Sequence, residues 1–266
     1  MSAADGQAAA SADRPASSGL RGAASWKSTP LQNVLVVLMS VAIAILVVTG
    51  TFCILLTPYP THAFASLFVA DDVSSVSHDE LVETAEQTLA YCNADPDAEL
   101  PLGDDEQTSY TEDVVGHLDD VTVFFSGMKM TAAVSAVAVV ALLVLIFASA
   151  RKGSADQPGA KPSSVAGMLA SRAMLAGAIV VAVLLVAIAA AALIDFNSIF
   201  NFLHSFFFAS GSWTFPSDSL LICALPEEFW MAMAVLWGAI LVVVLAALVI
   251  ASRSIRSHAR GGLASR

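Results

Sequence analysis

Four uninterrupted apolar segments constrain this chain more than any other feature: 31–56, 131–150, 173–194 and 229–251. At about 1.5 Å per residue, each reaches across a hydrocarbon core of about 30 Å. Lipid offers no hydrogen bonds, so a single spanning segment must satisfy its own backbone, and the helix does that. Composition agrees. Apolar residues make up 57% of the chain and charged residues 13%, where soluble domains carry about a quarter charged. The first segment is much longer than the about 7–15 residues of a signal-peptide core, so it reads as a retained span, although Ala63-Phe64-Ala65 resembles a cleavage site.

Basic residues orient the segments. Arg14, Arg21 and Lys27 precede the first; Arg151, Lys152, Lys161 and Arg172 lie between the second and third; Arg253, Arg256, Arg260 and Arg266 follow the fourth. The positive-inside rule then puts both termini and the middle loop in the cytoplasm. The expected organisation is a disordered cytoplasmic tail over 1–30, a span over 31–56, an acidic extracytoplasmic cap over 57–130 and a span over 131–150. A basic cytoplasmic loop over 151–172, a span over 173–194, an aromatic extracytoplasmic stretch over 195–228, a span over 229–251 and a basic tail over 252–266 complete it. The fold class is therefore an all-α integral membrane protein, with four transmembrane helices and a small acidic helical cap between the first two.

The cap is rich in carboxylates opposed only by Lys129 at its end, which excludes nucleic acid as a partner. Ser77 with Glu80 three residues on forms a capping box, and Leu81, Val82, Ala85, Leu89 and Tyr91 supply the apolar face of the helix it opens. A second cap helix is expected from about Thr111, with Glu112 and Asp113 in its first turn and His117, Asp120, Val121 and Phe124 on one face. It should run, with a break at Gly127, into the second span. About seventy residues bury little core alone, so the cap should pack on the membrane helices. Of the three cysteines, Cys92 and Cys223 can meet on the outer side, as a disulfide or as two buried thiols. Gly-rich phosphate loops, CxxC, HExxH and GxSxG are all absent, removing the usual nucleotide, zinc-protease and serine-hydrolase chemistries.

The stretch 196–228, FNSIFNFLHSFFFASGSWTFPSDSLLICALPEE, is no ordinary connector. It carries one histidine, eight phenylalanines or tryptophans, and Pro226 followed by Glu227 and Glu228. As a helix it aligns Asn197, Asn201, His204 and Ser205 on one face, crowded by Phe200, Phe206, Phe207 and Phe208. Either this is an aromatic belt anchoring a loop at the interface, or a polar stripe able to hold a reacting headgroup out of water.

Two blocks carry a family resemblance: 112–125, centred on His117-Leu118-Asp119-Asp120-Val121, and 196–230, with FNFLHSFFF, Trp213, Asp218 and LLICALPEEFW in order. Together with the four-span layout they resemble the bacterial lipoprotein intramolecular transacylases, small four-helix membrane proteins. An Arg-Glu pair is common in that family just before the first histidine, where this chain has Asp113-Val114-Val115-Gly116. Leu225 likewise stands where an aromatic is usual.

The resemblance implies an enzyme of the bacterial cytoplasmic membrane acting at its outer face. Its substrate would be a lipoprotein whose N-terminal cysteine bears a diacylglyceryl group and a free α-amine. One acyl chain would move from the glyceryl ester to that amine, giving the lyso form, with no cofactor and no metal. An α-amine with a pKa of about 7.7–8.0 is mostly protonated at neutral pH. An imidazole titrating near about 6.5 can take up that proton and return it to the departing alkoxide. His117 and His204 are the candidate catalytic residues, with Asp120 to orient His117 and the amides of Asn197 or Asn201 as oxyanion donors. Glu227 and Glu228 read as the acidic first turn of a helix opened by Pro226, and Trp213 and Phe215 as interface anchors. His62 and His78 lack a supporting cluster, and His258 falls on the cytoplasmic side. Two rivals remain: a metal-dependent membrane hydrolase using His117, His204 and Asp120, or a non-enzymatic tetraspan partner whose acidic cap docks another protein. Oligomeric state is left open.

Overall fold

The computed structural model describes residues 27–155, 161–208 and 212–264. Most of the expected N-terminal tail lies outside these residues, as do parts of the basic loop and of the aromatic stretch. Among the described residues the helices are α1 (Pro30–Leu55), α2 (Pro58–Phe68), α3 (His78–Cys92), α4 (Glu112–Ala155), α5 (Pro162–Ile194), α6 (Phe196–Phe207), α7 (Leu220–Ala224) and α8 (Glu227–Ala264). α1, α4, α5 and α8 are long and apolar enough to cross a membrane, matching the four segments read from sequence.

α1 is the central staff of the bundle, packing against α4, α5 and α8. It opens on a capping box: Thr29 donates its N–H to Gln32, and the Thr29 hydroxyl accepts the Gln32 N–H. Hydroxyls inside it are satisfied locally, Ser40 donating to the Val36 carbonyl and Thr51 to that of Val47, as an apolar surround requires. Thr51 in turn accepts the Trp237 indole N–H at 2.9 Å, tying α8 to α1. Where α5 crosses α1, a Cβ on Gly177 would stand 2.8 Å from the Ser40 carbonyl oxygen, so only glycine permits that approach.

The cap is continuous with the bundle. Leu81, Leu89, Cys92, Tyr110, Val114, Leu118 and Phe125 share one buried cluster with Leu55, Leu220, Cys223 and Phe229, as a cap too small for its own core should. Ser77 and Glu80 form the expected capping box on α3. Asn93 reaches back to the Leu56 carbonyl at the end of α1. The chain 101–110 turns back on itself through Tyr110 N–H to the Pro101 carbonyl, and the buried Tyr110 hydroxyl meets that of Thr88 at 2.8 Å.

One expectation is corrected and one left open is decided. α4 passes through Gly127 without a break: a lone glycine costs a helix about 1 kcal/mol, too little against the packing on either side. Pro58 and Pro60 fall in the first turn of α2, where backbone N–H groups need no intrahelical partner. Cys92 and Cys223, left open between a disulfide and two buried thiols, are both free and buried.

Candidate active site

α4 is 44 residues long, about 66 Å and roughly twice a hydrocarbon core. Its first turns therefore stand in the cap. Val114 and Leu118 pin that stretch into the cap core, which points His117, one residue before Leu118, towards α6. α6 starts after Asp195, whose extended backbone ends α5 and whose carboxylate caps α6 by accepting the Ser198 N–H. The helix then carries its polar stripe, as expected, to His204.

The two imidazoles meet. Their ring centroids lie 6.4 Å apart, and Phe208 packs on both, at 5.2 Å from His117 and 5.4 Å from His204. Phe200 stacks on His204 at 3.9 Å. Phe215 flanks His117 at 5.8 Å and Trp213 flanks His204 at 6.1 Å. Both had been expected as interface anchors; both are walls of this cluster. The aromatic contacts continue from Phe208 through Phe124 and Phe52 to Trp237 inside the bundle.

The ring nitrogens are not equivalent. His204 Nδ1 lies 2.8 Å from the Phe200 carbonyl oxygen. A carbonyl only accepts, so Nδ1 carries the proton and the neutral ring keeps its lone pair on Nε2. Desolvation pulls this histidine below its ordinary titration range, partly opposed by the Phe200 carbonyl. That direction favours the neutral ring. His117 is 8% exposed, and its Nδ1 is buried with no hydrogen-bond partner among the described residues. An unpaired buried nitrogen is costly and marks a place where a partner is missing or arrives later.

Among the supporting residues, Asp120 departs from expectation. Asp120 is exposed and does not hold His117 through Nδ1, so it does not orient the ring by that bond. The amide of Asn197 donates to Glu227 Oε2 at 2.9 Å, and that of Asn201 to the Asn197 carbonyl at 2.9 Å. Each amide commits one of its two N–H donors to holding α6. Asn201 also accepts the Trp213 indole N–H at 3.4 Å. Glu227, at the head of α8 as expected, thus anchors a polar line running along α6 to the aromatic wall. His62 pairs with Glu86, and His78 with Asp71 at 3.0 Å, both on the cap surface and away from the cluster. Among the described residues no three His, Cys, Asp or Glu side chains converge as a metal site. Cavities of about 350 and 470 Å³ occur between α5 and α8 and beside Tyr110, neither lined by His117 or His204.

A family model described as "Lipoprotein intramolecular transacylase Lit" matches residues 35–230. Comparison with curated proteins finds no match. Among solved structures, the lipoprotein intramolecular transacylase Lit of Bacillus cereus superimposes with a TM-score of 0.58 at 15% identity, covering 88% of this chain and 96% of that one. A histidine-to-arginine variant of that enzyme gives a TM-score of 0.59 at 14% identity, covering 88% and 92%. A histidine-to-alanine variant gives 0.64 at 14%, covering 86% and 96%. At such identities these structures speak for the fold.

Proposed function

Because the chain belongs to the lipoprotein intramolecular transacylase family, we propose that His117 and His204 form the acid–base pair that moves an acyl chain within one lipoprotein molecule. The protein is a multi-pass membrane transacylase. The substrate is the diacylglyceryl-modified N-terminal cysteine of a lipoprotein, and the product is its N-acyl, S-monoacylglyceryl lyso form. The pair works at the outer face, with both termini cytoplasmic; the distribution of lysine and arginine supports that orientation.

The reaction balances without a cofactor. The α-ammonium gives a proton to an imidazole, for which His204 Nε2 is suited because Nδ1 is already bound to the Phe200 carbonyl. The freed amine attacks the ester carbonyl carbon, forming a C–N bond and a tetrahedral oxyanion. Collapse breaks the carbon–oxygen bond to the glyceryl group, the departing oxygen takes the proton back from the imidazolium, and the nitrogen, still carrying two hydrogens, gives one to the freed imidazole, which passes it to water. Ammonium plus ester thus becomes amide plus alcohol, with one proton released. Both reacting groups belong to one molecule, so the enzyme supplies orientation and dehydration rather than a second substrate site. The aromatic walls suit that task by excluding water from a reaction whose competitor is hydrolysis.

The observation that carries the assignment is the 6.4 Å approach of two histidine rings within one aromatic cluster. Mass spectrometry of a lipoprotein N-terminal peptide from cells expressing the wild type, His117→Ala or His204→Ala tests it. Lyso product should appear only with the wild type. Product at wild-type levels from either variant, inserted at normal abundance, contradicts the assignment.

A further inference from the structure

α6 divides cleanly in two. Asn197, Asn201, His204 and Ser205 lie on one side, and Ile199, Phe202, Leu203 and Phe206 on the other. The polar side is tied down through Asn197 to Glu227 and Asn201 to Trp213. The apolar side is largely bare of protein: Phe202 is 63% exposed and Phe206 75%, with Ile199 half-buried, and α6 has no fully buried residue. At twelve residues, about 18 Å, the helix is too short to cross a bilayer.

We propose that this apolar face is a float seated in the acyl region of the outer leaflet, and that it sets the depth of His204. The occupant is lipid because the surface is continuous with one that already faces lipid: Leu193 and Ile194, at the end of the α5 span and one residue before the Asp195 turn, are 89% and 87% exposed. A short helix with a bare aromatic face and a hydrogen-bonded polar face is the pattern of an in-plane interfacial helix. His204 sits at the seam between the faces, stacked on Phe200. The seam is the level where acyl chains end and their ester carbonyls begin, so the base is held at the height of the bond to be broken. That consequence rests on the acyl-transfer function proposed above; the position of the helix does not.

Spin labelling of the full-length chain in vesicles of phosphatidylcholine and phosphatidylglycerol tests the depth. Labels are placed singly at Phe206→Cys, Phe202→Cys and Ser205→Cys. All three are made in a Cys53→Ser background, since Cys53 is free and only half-buried whereas Cys92 and Cys223 are buried, and the Cys53→Ser protein alone gives the background signal. Labels at 206 and 202 should relax several-fold more with oxygen than with a water-soluble nickel chelate, and the label at 205 should show the reverse. Chelate access at 206 and 202 equal to that at 205 overturns the proposal. Shielding of 206 and 202 from both reagents also overturns it, showing the face covered by protein, such as a second copy. Absence of lyso-lipoprotein synthesis by the unsubstituted protein, with the depth pattern intact, would count against the proposed function and leave the float standing.

Discussion

The outer turns of α4 and the whole of α6 bring histidines to the same cluster from unlike supports. Around His117, Val114, Leu118 and Phe125 are buried in the core that joins cap to bundle. Around His204 nothing on its own helix is buried; α6 rests on α5, on aromatic contacts and on the Asn197–Glu227 bond. One histidine is built into the scaffold, the other is carried on a light arm. For the two-chain lipoprotein substrate proposed above, that division lets the rigid member keep register while the lightly held one yields.

The contrast predicts separable damage. The largest effect on folding should come from Leu118→Ala, which removes a side chain 3% exposed in the cap core and should cost about 2–5 kcal/mol. Thermal unfolding in detergent would register it, with activity falling in step with folded protein. Equal destabilisation by Phe206→Ala on α6 would break the contrast.

Next in size is Glu227→Ala. The bond it removes is exposed and worth about 1 kcal/mol to stability. Its loss should nevertheless slow transacylation about ten- to a hundredfold by loosening the helix that holds His204. Glu227→Gln, which still offers Asn197 an oxygen, should restore most of the rate, and Glu228→Ala should change little. A melting temperature lowered as far as in Leu118→Ala would mean that α6 is not lightly held.

The pH response follows from the depressed titration of His204. Between its lowered folded value and about 6.5, the unfolded chain binds a proton that the folded chain does not. Its contribution to stability is therefore complete above about pH 6.5 and is lost as pH falls through that window. The same depression keeps the base unprotonated, so the acid limb of the rate profile should have its midpoint below pH 6.5. A midpoint at or above that value in vesicles would contradict a desolvated His204. Smallest of all should be His62→Ala, which removes an exposed pair with Glu86 and should shift stability by about 0–1 kcal/mol.

Much of this was legible in the sequence because it was local. Continuous apolar runs define the spans, Ser77 and Glu80 announce α3, and the spacing of Asn197, Asn201 and His204 describes the stripe on α6. The meeting of His117 with His204 was legible too, since both sit near the same ends of spans. What escaped was long-range or silent in pattern. Glu227 looks like an ordinary first-turn acid until α6 brings Asn197 against it, and Trp213 and Phe215 look like belt residues until the chain folds over the histidines. Asp120 had the right spacing to serve His117, but spacing places a residue on a face and not in a bond. Gly127 was read as a break because propensity is visible in sequence, whereas the packing that overrides it is not.

The central claim is that the two histidines act as one unit on one headgroup. Transacylation rates for His117→Ala, His204→Ala and the double variant, reconstituted at equal folded amounts with a diacylated lipopeptide, test it most directly. Each single loss should be on the order of 10²–10⁴-fold, and the double variant should lose little more than the worse single, because removing either partner already dismantles the pair. Losses that multiply in the double variant would show two independent contributions and contradict the shared acid–base pair.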